Sequence, residues 1–118
     1  MDKINIYQTN KQVNLKEGTY HINLIGGWGV SLNQFKIELI DSNNNSIICY
    51  KTTFPLQNLT DKKTKRILSV DIKKADNYKI AFKNPDSIEV YISSLFLNKL
   101  ISKPIDNKTI QIYFELKK

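Results

Sequence analysis

The chain is poor in the residues from which proteins build disulfides, metal centres and many catalytic sites. Its 118 residues include one cysteine, Cys49, and one histidine, His21. One thiol cannot form an intramolecular disulfide, so the cysteine content gives no sign of an oxidising compartment. A single histidine and a single cysteine also cannot form a zinc site of the Cys/His type within one chain. The composition therefore predicts no metal, no cofactor and no enzymatic activity.

Long apolar segments are missing as well. No stretch approaches the roughly 18 consecutive apolar residues that a membrane-spanning helix needs. The first residues, MDKINIYQTNKQ, lack the apolar run of a signal peptide. These absences predict a cytoplasmic protein without a membrane span. The length suits a single domain, residues 1–118, with one hydrophobic core.

Arginine is scarce although the chain is basic, with a formal net charge of +7. Arg66 is the only arginine among 18 basic residues. The candidate basic patch consists of Lys62, Lys63, Lys65, Arg66, Lys73 and Lys74. Because arginine supplies the planar fork that grips phosphate and reads guanine, its scarcity weakens the case for nucleic-acid binding. Binding of nucleic acid or of an anionic surface is accordingly only a second alternative.

Alternation of apolar and polar side chains is what the sequence has in abundance. This period of two is typical of strands with one buried face. The residues predicted to face inward are Tyr20, Ile22 and Leu24; Phe35, Ile37 and Leu39; Leu68, Val70 and Ile72; Tyr78, Ile80 and Phe82; Ile88, Val90 and Ile92; and Ile110, Ile112, Phe114 and Leu116. Weaker strand signals occur at 4–7, 12–15 and 46–52.

Polar turns separate these segments and recur about every ten residues. The turns are predicted at 41–46, 73–77 and 84–87. A helix start is indicated only at 60–67, with Thr60 as a possible N-cap, and we predict a bulge at Ser93–Ser94 that turns Leu95 and Leu97 inward. The pattern predicts an all-β fold: an antiparallel β-sandwich of jelly-roll type with eight or nine strands.

His21 and Cys49 are the two side chains with the most reactive chemistry. The alternation directs His21 to the outer face of its strand, where a solvated histidine is the expected role. Cys49 lies between Ile48 and Tyr50 in an apolar strand, which predicts a buried and inert thiol.

Three of the four glycines surround the only tryptophan, in the segment LIGGWGV at 24–30. Gly26, Gly27 and Gly29 permit backbone conformations that other residues avoid. Two interpretations of Trp28 are open. The chain bends so that Trp28 closes one end of the core, or the loop presents Trp28 to a ligand or partner.

The leading functional prediction is a non-catalytic interaction module that binds another protein or a second copy of itself. The contact would use a sheet face or the Trp28 loop, since an open sandwich leaves strand edges that association covers. The alternative is a carbohydrate-binding module that uses Trp28 together with Tyr91 or Tyr113. Both tyrosines have the parity opposite to the core residues of their strands.

Overall fold

The structure, a computed structural model, describes residues 3–27, 29–51, 64–91 and 105–117. Eleven strands lie in these ranges: β1 (Ile4–Asn5), β2 (Gln12–Leu15), β3 (Gly18–Ile25), β4 (Gly29–Ser31), β5 (Lys36–Ile40), β6 (Ser46–Ile48), β7 (Tyr50–Lys51), β8 (Thr64–Ile72), β9 (Asp76–Lys83), β10 (Glu89–Tyr91) and β11 (Gln111–Leu116). Single turns of 3₁₀ helix occur at Pro85–Ser87 and Asn107–Thr109. No helix in the described ranges has the length and apolar character needed to cross a membrane.

The strands form three antiparallel sheets. The five-stranded sheet has the order β1-β11-β3-β8-β7, the four-stranded sheet has the order β2-β9-β5-β6, and β10 pairs with β4. The predicted all-β, antiparallel class is therefore confirmed. Several strands of two or three residues bring the number in the described ranges to eleven, where the sequence predicts eight or nine.

One hydrophobic core takes buried side chains from both larger sheets. On β3 the predicted inward residues Tyr20, Ile22 and Leu24 are at most 3% exposed. On β5 the same holds for Ile37 and Leu39, which are fully buried. The alternating pattern thus identified the core-facing sides of these strands correctly, because burial of every second side chain is what removes apolar surface from water.

The inward prediction for Leu116 was wrong, since this side chain is 41% exposed. Leu116 is the last residue of β11. On one flank it pairs with Tyr20 of β3. On the other flank β1 covers only Gln111 and Ile112. Within the described residues the end of β11 therefore lacks a strand neighbour on that side, and alternation alone does not reveal where the sheet stops covering a strand.

The segment 46–52 is predicted as one strand, but it contributes to two sheets. β6 ends at Ile48 in the four-stranded sheet, and β7 begins at Tyr50 in the five-stranded sheet. Cys49 lies between them and donates its N–H to the carbonyl of Ile37 at 3.0 Å. Similarly, the strand signal at 4–7 yields only the two residues of β1.

The helix start predicted at 60–67 was wrong for the part that the structure describes. Thr64 and the residues after it belong to β8. The pairing register shifts between Ile22 and Asn23 of β3, opposite Ile67, which marks a bulge in this part of β8. Strand pairing prevails because the segment lacks the apolar stripe that would bury a helix. The predicted bulge at Ser93–Ser94, and with it Ile92, Leu95 and Leu97, lies outside the described residues.

Asparagine supplies the turns in this glycine-poor chain. The described non-glycine residues with a left-handed backbone are Asn10, Asn33, Asn44 and Asn84, with φ between 53° and 64°. Asn44 lies in the hairpin turn that joins β5 to β6, as predicted for 41–46. Asparagine tolerates this conformation because its short amide bonds to nearby backbone groups.

Candidate functional site

The glycines of LIGGWGV allow the backbone to lie directly against β10. Gly26 has a φ of 141°, which side chains disfavour, and a Cβ on Gly27 would lie 2.1 Å from the carbonyl oxygen of Tyr91. Gly29 opens β4 and pairs with Tyr91 in the two-stranded sheet. Close backbone approach thus explains Gly27, and the backbone conformation explains Gly26. Trp28 lies outside the described residues.

The two tyrosines of the predicted carbohydrate surface belong to different sheets. Tyr91 is half-buried in β10 and donates its hydroxyl hydrogen to Glu89 at 3.1 Å. Burial, together with that carboxylate, raises the pKa of Tyr91. Tyr113 is half-buried in β11 and pairs with Asn23 of β3. The structure therefore does not bring these two rings into one sheet face.

The predicted basic patch is divided between the two ends of β8. Lys65 and Arg66 lie near its start, and Lys73 and Lys74 follow its end. At about 3.3 Å per residue the two pairs are roughly 23 Å apart along the strand. Lys62 and Lys63 lie outside the described residues. Within the described part the basic residues around β8 consequently do not converge on one spot.

A polar face covers the outer side of the five-stranded sheet. Its members are Thr19, His21, Asn23, Arg66, Ser69, Asp71, Tyr113 and Glu115. Most of their polar groups bond to one another. Thr19 donates to Asp71 at 2.8 Å, the Asn23 amide donates to Glu115 at 3.4 Å, and Arg66 Nη2 lies 3.6 Å from Glu115 Oε1. The polar face is thus largely self-satisfied, although the buried Nε of Arg66 has no hydrogen-bond partner among the described residues.

His21 finds a hydroxyl partner on the polar face that the sequence did not reveal. Its Nδ1 lies 3.0 Å from Ser69 Oγ. Desolvation, reinforced by the positive charge of Arg66, lowers the pKa of His21, so the ring is neutral at pH 7. Ser69 is only 3% exposed and sits mid-strand, where backbone N–H groups serve the sheet ladders. A serine nucleophile would need access to substrate and free donors for an oxyanion, so this pair is better suited to structure than to catalysis.

The segment Ser46–Lys51 forms what we call the β6–β7 edge. β6 is the outermost strand at one end of the four-stranded sheet, and β7 is the outermost strand at one end of the five-stranded sheet, within the described ranges. Ile48 is 60% exposed and Tyr50 is 47% exposed. Together with Leu116 they are the exposed large hydrophobic residues of the described chain. One short segment thus lies at the ends of two sheets within the described ranges, and it exposes Ile48 and the ring of Tyr50, whose hydroxyl donates to Asp71 of the polar face at 3.3 Å.

A pocket of about 190 Å³ opens beside this edge, and we call it the edge pocket. It is lined by Leu32, Asn33, Phe35, Lys36, Ile48, Cys49, Lys51 and Leu68. Five of these eight residues are apolar or a buried thiol, and the two lysines are exposed. Burial raises the pKa of Cys49 to about 12, so the thiol is protonated at pH 7 and behaves as an apolar wall. The prediction that Cys49 is buried is confirmed.

A wider groove of about 420 Å³ lies between the loop after β1 and strand β9. Tyr7, Phe82 and Pro85 line it together with exposed polar residues. The hydroxyl of Tyr7 is already bonded to Asp86, and this bond raises the pKa of Tyr7. The phenolic hydroxyl of Tyr7 therefore already has a hydrogen-bond partner within the fold.

Metal ligands do not cluster in the part of the chain that the structure describes, where no three His, Cys, Asp or Glu side chains come together. No protein-family model, no curated protein and no solved structure matches this chain. The β6–β7 edge and the edge pocket are the features that sequence reasoning missed. Only the apolar run Ile47–Ile48 beside Tyr50 hinted at them, and alternation gave no sign that the chain changes sheets there.

Proposed function

We propose that this chain is a non-catalytic interaction module that binds another protein through the β6–β7 edge. One observation carries the proposal: among the described strands, the continuous segment Ser46–Lys51 forms the outermost strand of both larger sheets, and it exposes Ile48 and Tyr50. Sheet edges with exposed apolar side chains favour association, because contact removes apolar surface from water and pairs backbone groups. The exposed fractions of 60% and 47% are high for such large side chains.

We also propose that the two larger sheets form a sandwich of jelly-roll type. The pairing of strands supports this: β1 pairs with β11, β2 with β9, β3 with β8, and β5 with β6. In these four pairs early strands pair with late strands in reverse order, and successive pairs alternate between the two sheets, whereas β4 departs from the order by pairing with β10. A long antiparallel hairpin rolled over a shared core has this pairing order, as expected for two interlocked Greek keys.

The proposal of a binding role without catalysis draws on the chemistry of the described side chains. The only histidine is neutral and bonded to a buried serine, and the only cysteine is protonated beneath the edge. The single thiol also supports a reducing compartment such as the cytoplasm. The division of Lys65–Arg66 from Lys73–Lys74, and the placement of Tyr91 and Tyr113 in separate sheets, lend the nucleic-acid and carbohydrate alternatives no comparable support.

Selection of binders from a random peptide display library, followed by mapping on the ¹⁵N-labelled full chain, tests the proposed function. We expect selected peptides to shift the amide resonances of Ser46–Lys51. The substitution Ile48→Glu should weaken the selected peptides at least about tenfold, since it places a charge where apolar contact is made. Sedimentation over a range of concentrations shows in the same samples whether a second copy occupies the edge.

Leu116→Glu is the matched control, because Leu116 is also a large exposed hydrophobic residue and β3 and β8 separate its strand from β7. This variant should bind selected peptides like the unaltered chain. Binders that map only to other surfaces, or that lose as much affinity from Leu116→Glu as from Ile48→Glu, would refute the role of the edge.

A further inference from the structure

The size and lining of the edge pocket indicate which side chain of a partner it can accept. This inference rests on the proposed function. Phe35, Cys49 and Leu68 form its buried walls, with exposed fractions of 3%, 5% and 3%. An apolar cavity of about 150 Å³ is large enough to hold a benzene molecule. The edge pocket, at about 190 Å³, therefore has room for one aliphatic or small aromatic side chain from a partner.

The rim of the edge pocket is positively charged. Lys36 and Lys51 both line the pocket and are exposed. Neither forms an ion pair within the described ranges. In the register of β5 with β9, Lys36 also lies directly opposite Lys83. The ammonium groups at this rim are thus available to the carboxylates of a partner.

Acidic residues near the pocket do not neutralise this rim: Glu89 accepts a hydrogen bond from the amide of Asn33, which lines the pocket, and forms no ion pair with either rim lysine within the described part of the chain. Glu38 lies two residues along β5 from Lys36, opposite Ile48, but forms no ion pair with either rim lysine in the described structure. Asp71, on the neighbouring strand, accepts hydrogen bonds from the hydroxyls of Thr19 and Tyr50. An incoming carboxylate would therefore meet two lysines without displacing an existing salt bridge.

Charge also argues against a second copy as the occupant. The chain carries a formal net charge of +7. Two copies joined edge to edge would bring two chains of the same positive net charge together, with exposed lysines at both edges. Like charges placed together across an interface disfavour association, whereas a partner of opposite charge is also attracted at long range.

We propose that the edge pocket receives one apolar side chain from an acidic segment of another protein, whose flanking carboxylates pair with Lys36 and Lys51. The apolar side chain supplies the anchor, because it fills the space between Phe35, Cys49 and Leu68. Pairing of the carboxylates with Lys36 and Lys51 supplies selectivity, since the two lysines attract acidic segments and repel basic ones. The site therefore recognises a combination of one apolar residue and adjacent negative charge.

Three capped pentapeptides test this pairing: Ac-Glu-Glu-Leu-Glu-Glu-NH₂, the same peptide with alanine for leucine, and the same peptide with lysine for every glutamate. Each is titrated into the ¹⁵N-labelled full chain at low salt. The acidic leucine peptide should shift the amides of Phe35, Cys49 and Leu68. The alanine and lysine peptides should each bind at least about tenfold more weakly, and added salt should weaken the acidic peptide.

Charge exchange provides the matched variants. The double substitution Lys36→Glu with Lys51→Glu should reverse the preference, so that the lysine peptide now binds better than the acidic one. Lys16→Glu with Lys108→Glu changes the net charge equally, and neither of these exposed lysines lines the pocket. That control should retain the preference for the acidic peptide.

Equal binding of the acidic and lysine peptides, or a control as disruptive as the rim variant, would overturn the proposed partner chemistry. Failure of all three peptides would overturn it too. The display selection separates that failure from failure of the proposed function. Selected neutral or basic peptides that still map to Ser46–Lys51 leave the edge as an interaction surface, and the absence of any edge binder removes both proposals.

Discussion

The polar face and the edge pocket lie close to each other on β8, but they differ in whether their charged groups have partners within the chain. Leu68 lines the pocket, while the next residue, Ser69, bonds to His21 on the polar face. On the polar face, charged and hydroxyl groups mostly satisfy one another. At the pocket, the buried side chains of Phe35, Cys49 and Leu68 line a cavity, and two exposed lysines at its rim lack carboxylate partners among the described residues. A surface whose interactions are complete within the chain has less to gain from a partner than one whose interactions are incomplete.

Truncation of Leu68, in the pocket wall, should destabilise the protein far more than truncation of Ser69, on the polar face. Leu68→Ala removes a 3% exposed side chain from the core, and we expect it to lower the free energy of unfolding by about 3 kcal/mol. Ser69→Ala, one residue away, removes one hydrogen bond with His21 and should cost about 1 kcal/mol. Urea denaturation measures both. Equal losses would mean that the two sides of β8 contribute alike and that the pocket wall is not part of the core.

Alkaline pH should lower the free energy of unfolding through Cys49, which lines the edge pocket. Burial raises the pKa of this thiol from 9.0 to about 12. Above pH 9 the unfolded chain loses the proton while the folded chain retains it, so stability falls as pH rises. The loss should approach about 1.4 kcal/mol per pH unit, or roughly 2 kcal/mol at pH 10.5.

Urea denaturation at pH 8 and at pH 10.5 measures this loss. Cys49→Ala should show a smaller decrease, because the remaining alkaline sensitivity then comes from tyrosines whose pKa values are also raised, such as Tyr50 and Tyr78. An identical pH slope in the variant would show that Cys49 does not titrate in this way.

Acidic pH should act on the polar face instead, and with a smaller effect. The pKa of His21 is lowered, mainly by desolvation and then by Arg66. Below about pH 6.5 the unfolded chain therefore binds a proton more readily than the folded chain, and stability falls as pH falls. Chemical denaturation between pH 7.5 and pH 5 should show a shallower decline in His21→Gln than in the unaltered chain. A parallel decline in both proteins would assign the acid sensitivity to other groups.

The ion pair on the polar face should have the smallest effect. Arg66 Nη2 and Glu115 Oε1 are 3.6 Å apart, and the two side chains are 25% and 45% exposed. Solvent screens such a pair, so Glu115→Gln should change the free energy of unfolding by less than about 0.5 kcal/mol. Glu17→Gln, at an exposed glutamate outside the polar face, is the control. A loss above 1 kcal/mol specific to Glu115 would show that the polar face is more tightly coupled than its geometry indicates.

The sequence revealed the core better than it revealed the edge, for a physical reason that Cys49 illustrates. Side chains at 47, 49 and 51 alternate with those at 46, 48 and 50, as in one strand. When the chain passes from one sheet to the other at Cys49, its inward side chain still points to the shared core and its neighbours still point outward. Alternation indicates which side chains face the core, but it does not indicate which sheet a residue belongs to.

The sequence also did not reveal which side chains contact each other across neighbouring strands. The pairing of His21 with Ser69 depends on the register of β3 with β8, which includes a shift opposite Ile67. Registers are set by the whole sheet, and residues 48 positions apart give no local sign of contact. The glycines were more informative: an unusual backbone was predicted at Gly26 and Gly27, and Gly26 has a φ of 141°, whereas Gly27 is required by its close approach to Tyr91.

The position of β11 between β1 and β3 has a consequence for the order in which the sheet can form during synthesis. Strand β11 lies between β1 and β3, so the first strand has no neighbour in its sheet until Gln111 and Ile112 arrive. Closing a loop of this length is entropically slow, and pairings between distant segments retard folding. A ribosome-bound chain that ends before residue 111 would hold an incomplete sheet in which β3 pairs only with β8 and has one open edge, and shielding by a chaperone would be most valuable at that stage.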